Sequence, residues 1–82
     1  MIVGRCLPVR QNESGTWQVE HSPGLWQDTR SKEEARLLSR AIPLSFESDP
    51  DQEEVEEVLA GLNRIGFYEN HLIYRRVLAK RR

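Results

Sequence analysis

The sequence predicts an α+β fold: a three-stranded antiparallel meander packed by one helix, followed by two C-terminal helices. Three observations carry this. Two turn signatures, Asn12-Glu13-Ser14-Gly15 and Ser22-Pro23-Gly24-Leu25, separate three short strand-like stretches, and short loops favour antiparallel neighbours. Ser31 followed by Glu34 forms an S-x-x-E capping box ahead of an apolar stripe. Two later segments place apolar residues at helical spacing.

The first strand is expected within residues 2–10, with Val3, Leu7 and Val9 on one alternating face and Arg5 interrupting it. Pro8 cannot donate a ladder hydrogen bond, so this is an edge strand or one that begins late. Gly15 suits the positive φ at the end of a hairpin loop. Residues 16–20 alternate, with Trp17 and Val19 facing one way and Thr16, Gln18 and Glu20 the other. This puts Trp17 in the core. Pro23 and Gly24 suit the two central positions of a type II turn. A short third strand, residues 25–29, follows.

Ser31 is the expected N-cap of the first helix, whose inner stripe is Ala35, Leu38 and Ile42, with Leu37 and Ala41 beside it. Pro43 is expected to stop it. Leu44 and Phe46 are expected to tuck back onto the core. Asp49-Pro50-Asp51-Gln52 reads as the next start, with Asp49 as cap, Pro50 as first helical residue and Gln52 as box partner. Val55, Val58, Leu59, Leu62 and Ile65 follow at helical spacing, opposite Glu53, Glu54, Glu56 and Glu57. Gly66 reads as a left-handed terminator. The last segment, residues 67–82, is read as a helix capped by Asn70, although Leu72-Ile73-Tyr74 also suit a strand.

The 82 residues are expected to form one small domain, with 1–42 the meander and its helix and 49–82 the helical half. A chain this short buries only about 60–65% of its unfolded surface, so its large residues matter. Twelve basic and 13 acidic residues give a net charge of −1, which excludes a globally basic nucleic-acid binder. The charge is uneven: residues 47–57 hold seven acids and no base, whereas residues 71–82 hold five bases and no acid. Such runs fit solvated faces and helix dipoles, and the two can also pair with each other. No apolar run reaches membrane-span length, and Gly4 and Pro8 break the N-terminal stretch, so no signal peptide is read. A cytoplasmic location is expected.

Cys6, His21 and His71 are the only soft ligands or nucleophiles, and their spacing matches no metal motif. The single cysteine cannot form an intramolecular disulfide; Cys6 is read as a small buried strand residue. No glycine-rich phosphate loop is present. These observations predict no enzyme, no catalytic residue, no metal and no cofactor.

Residues 7–42 carry Gly15, Trp17, Val19, Pro23, Gly24, Ser31, Glu34 and Ala35. In this order they resemble the N-terminal module of the HicB-type antitoxin family: a Gly-x-Trp-x-Val hairpin, a Pro-Gly turn, then a Ser or Thr cap before Glu-Ala. The resemblance implies a small sheet with a helix laid on it. The family's D-x-P-G turn is replaced here, with His21 and Ser22 before the Pro-Gly. The C-terminal half carries neither a helix-turn-helix nor a ribbon-helix-helix arm, so the resemblance does not extend to toxin neutralisation.

Two non-catalytic readings remain. One is a protein-interaction or regulatory module, with Trp26 as the candidate protein interface and a homodimer expected. Only one of Leu25 and Trp26 can point inward; tryptophan is enriched at binding hot spots, but in so small a domain a core or core-rim place for Trp26 is the favoured alternative. The other is a nucleic-acid binder, with Arg75, Arg76, Lys80, Arg81 and Arg82 on phosphates and His71 or Tyr74 stacked on a base. No membrane partner is expected.

Overall fold

The computed structural model describes residues 6–82. Its elements are β1 (Val9–Gln11), β2 (Trp17–Ser22), β3 (Leu25–Asp28), α1 (Lys32–Leu44), α2 (Gln52–Arg64) and α3 (Leu72–Leu78). The strands form an antiparallel sheet in the order β1-β2-β3. This is the α+β meander and helix order expected. Residues 2–5 of the expected first strand lie outside the described residues; the strand begins immediately after Pro8.

Turn chemistry sets the meander. The Asn12 Oδ1 accepts hydrogen bonds from the Ser14 and Thr16 amides at 3.0 and 2.9 Å. Gly15 then takes φ +91°, a conformation that L side chains rarely adopt. At the second corner Gly24 has φ +79°, as the third position of a type II turn requires. Val9 pairs with Val19, and Val19 with Gln27, so these residues share the face toward α1. Arg10, Gln18 and Asp28 share the opposite face.

α1 starts where expected: the Ser31 Oγ accepts from the Glu34 amide at 3.1 Å. The reciprocal half of the box is replaced, because the Glu34 carboxylate accepts instead from the Arg30 Nε at 2.8 Å. Pro43 does not stop the helix, which runs to Leu44. A proline near the C-terminal end removes only one ladder bond, that to the Ser39 carbonyl. The Leu7 amide donates to this carbonyl at 3.0 Å, and the Ser39 hydroxyl donates to the Leu7 carbonyl at 2.7 Å. The proline therefore frees an acceptor that anchors the chain entering β1. Ser39→Ala is expected to cost about 1 kcal/mol by losing the hydroxyl bond; urea denaturation of the two chains measures this.

The cap of α2 is Asp51, not Asp49. Its side chain accepts from the Glu53 amide at 3.1 Å, and the helix begins at Gln52, two residues later than Pro50 would set it. Gln52 is not a box partner: its side-chain amide donates to the Lys80 carbonyl at 3.0 Å and its Oε1 accepts from the Arg82 amide at 3.0 Å. α2 ends in a Schellman motif. Gly66 takes φ +98°, its amide donates to the Asn63 carbonyl, and the Phe67 amide donates to the Leu62 carbonyl at 2.8 Å. α3 is a helix, with His71 rather than Asn70 at its N-cap and no side-chain capping bond.

The core joins Val19 to Leu37, Leu38, Ala41 and Leu44 of α1, to Val55, Val58, Leu59 and Leu62 of α2, and to Phe67 and Val77. Three side chains depart from expectation. Trp17 is only half-buried and packs outside this cluster, because α1 presents Lys32 to it: the Lys32 Nζ lies 5.3 Å from the ring centroid. Phe46 is 72% exposed, since the chain turns away from the core after Leu44. Cys6 is exposed, lying before β1 rather than within a strand.

Candidate functional site

α1 covers one face of the sheet. The other face carries Trp26, held in a row of ordered side chains. The Arg10 Nε donates to the Gln18 Oε1 at 2.8 Å, and the Gln18 Nε2 donates to the Asp28 Oδ1 at 2.7 Å. The three residues are cross-strand partners, so the register alone brings them together. The Arg10 guanidinium crosses β2 and lies 3.9 Å from the Trp26 ring centroid. A cation over indole at an exposed site contributes about 0.5–1 kcal/mol and fixes the ring plane. Beneath this cover Gln18 is buried although it faces away from the core. The Glu20 carboxylate, opposite Trp26, accepts from the Gly24 amide at 2.7 Å and holds the adjoining corner.

Trp26 thus faces neither the helix nor the core. It is half-buried on a preorganised outer face, on β3, one of the two edge strands. Leu25, on the opposite face at that edge, is 57% exposed.

The C-terminal cations are not assembled into one surface. The Arg81 guanidinium donates to both Glu56 oxygens, at 2.7 and 2.9 Å. These bonds hold the Glu56 carboxyl below its ordinary range and push the Arg81 guanidinium up. Arg82 pairs with Asp49. Two pairs, Glu56 with Arg81 and Asp49 with Arg82, therefore join the acidic run to the basic tail within the chain. The His71 ring is stacked on Phe67 at 4.2 Å between centroids. The Tyr74 hydroxyl accepts from the Asn63 Nδ2 at 3.2 Å, and its ring packs on the core. Lys80 is half-buried. Arg75 and Arg76 are exposed and, among the described residues, have no carboxylate partner; Arg76 lies 5.5 Å over the Phe46 ring.

Elsewhere, the Arg40 guanidinium bonds Glu57 at 2.8 Å and lies 3.6 Å from Glu54; the Glu57 bond, then the two negative charges, raise its pKa. A groove of about 490 Å³ beside α1 is lined by Lys32, Glu33, Arg36, Leu37 and Arg40. His21 is exposed on β2. Among the described residues no three His, Cys, Asp or Glu side chains form a group able to hold a metal, and no helix is long and apolar enough to cross a membrane.

Sequence reasoning pointed to Trp26 but missed Arg10, Gln18 and Asp28. Each is polar at an outward strand position, a signal any solvated sheet face would give. Only the cross-strand register distinguishes them. Against family models, curated proteins and solved structures alike, the chain shows no match.

Proposed function

We propose that this chain is a non-catalytic protein-interaction module, similar at the level of fold to the HicB-type N-terminal module, which binds through the outer face of its sheet. The observation that carries this reading is Trp26, stacked on Arg10 at 3.9 Å on the sheet face that no helix covers. A large aromatic held in one orientation loses little entropy on binding, which suits a hot spot. The partner we infer is a second copy. β3 is an edge strand whose free ladder groups lie beside Trp26, and edges left open in this way pair with further strands.

The test is sedimentation over a concentration series for the wild type and Trp26→Ala. The wild type is expected to associate reversibly and the variant to stay monomeric. The fold is expected to survive, because Trp26 packs outside the core cluster. A wild-type mass fixed at the monomer at every concentration overturns self-association. Collapse of the Trp26→Ala fold would return the residue to a structural role.

A further inference from the structure

Among the described residues, the large hydrophobic side chains that are more than half exposed are Leu25, Phe46, Tyr68 and Leu72. All but Leu25 gather at α3. Tyr68 lies in the turn that leads into the helix, and Leu72 is its first residue. Phe46 is reached from α3 by the Arg76 guanidinium, 5.5 Å over its ring. Leu72 and Arg76 are one helical turn apart, so their side chains are neighbours. Arg75 and Ala79 complete this outward face. The inward face, Ile73, Tyr74, Val77 and Leu78, is packed on the core.

The charge of this face adds to its apolarity. Arg30, Arg40, Arg64, Arg81 and Arg82 each have a carboxylate partner. Among the described residues Arg75 and Arg76 have none, as do Arg10 and Arg36 away from α3, and α3 itself contains no acid. A partner that covers Phe46 and Leu72 gains apolar burial. It must also desolvate the two guanidiniums, which is costly unless it brings opposite charge. Both demands are met by apolar side chains with carboxylates one turn away. A phosphate track would satisfy the arginines but leave Leu72 uncovered, and it would run toward Glu56 and Asp49, which already hold Arg81 and Arg82.

We propose that the face formed by Phe46, Leu72, Arg75 and Arg76 docks an acidic amphipathic helix of another protein. This surface is separate from the one around Trp26, because α3 packs on α1 and α2 and touches no strand.

The experiment is a selection of displayed helical peptides, of about four turns each, against the whole chain, with surface positions randomised. Enriched peptides are expected to carry Glu or Asp beside Leu, Ile or Phe at helical spacing. Synthesised and titrated by fluorescence anisotropy, they are expected to bind at least about tenfold more weakly to Phe46→Ala and to Arg76→Glu. Binding to the loop variant Glu13→Gln is expected to match wild type. Exchanging Glu for Lys in the peptide is expected to restore binding to Arg75→Glu/Arg76→Glu. Circular dichroism melts of each variant verify that folding is intact. No enrichment, enrichment without acids, or affinity indifferent to Phe46 and Arg76 overturns the proposal. So does tight binding of an oligonucleotide that Arg75→Glu/Arg76→Glu abolishes. Self-association through Trp26 is read independently, so either proposal can fail alone.

Discussion

Replacing Leu62 with alanine is expected to remove about 3 kcal/mol of stability, within the range of about 2–5 kcal/mol for a fully buried leucine. Leu62 has no exposed surface and sits in the core cluster between α1, α2 and α3. Its backbone carbonyl also accepts the Schellman bond from Phe67, so the side chain packs where the chain reverses. Collapse around the lost methyls would have to displace that motif, which argues against an easily closed cavity. A domain of this length has about 4–12 kcal/mol in total. The substitution therefore takes a large fraction of the whole, and the melting temperature should fall by about 12–24 °C. Urea denaturation should show the midpoint moving with the slope unchanged. A loss below about 1 kcal/mol would mean that the three helices do not close on this residue.

Gly61→Leu is expected to cost about 3 kcal/mol or more, at the upper end of overpacking penalties. A glycine inside a helix is disfavoured by about 1 kcal/mol relative to alanine, so its presence in α2 calls for a packing reason. The reason is α1: a Cβ added at Gly61 would lie 2.6 Å from the Leu37 Cδ2 and 3.3 Å from its Cδ1. Salt bridges on either side, Arg64 with Glu33 and Arg40 with Glu57, span the two antiparallel helices here. Gly61→Ala weighs the two effects against each other. Leu37 packs on the core but also lines the groove beside α1, so its methyls can shift toward that groove, and the clash should roughly cancel the gain in helix propensity. In a Leu37→Ala background the clash disappears, and Gly61→Ala should become stabilising. A double-mutant cycle measures the coupling, expected at about 1–2 kcal/mol. A coupling of zero would refute the close approach.

Gly61 also illustrates how far the sequence can be read. Its place in a helix was legible, because Val55, Val58, Leu59 and Leu62 set the period around it. Its purpose was not, because the reason lies on another helix. The caps divide in the same way. Ser31 was readable because it stands alone before its helix. Asp49 reads as a cap because Pro50 follows it, yet Asp51 caps α2, and Gln52 is claimed by Lys80 and Arg82 from the far end of the chain. Alternation assigned Trp17 and Val19 to one face correctly. It could not show that the facing helix would offer Lys32 to one and leucines to the other.

The candidate surfaces divide similarly. The basic tail and the acidic run were both visible in the sequence, as was the option that they pair. Their geometry decided it, leaving Arg75 and Arg76 as the exposed cations of the tail without a carboxylate.

What the sequence determined by itself is everything governed by local backbone preference. Gly15 and Gly24 make the corners, Ser31 starts α1, Gly66 ends α2, and helical periodicity marks the inner stripes. These act over a few residues and need no partner. The tertiary structure alone decided which side of the sheet Trp26 occupies, that Arg10 stacks on it, and that Phe46 stays in solvent. Those outcomes depend on cross-strand register and on how far α1 reaches over the sheet, and such contacts between distant residues leave no periodic trace in the chain.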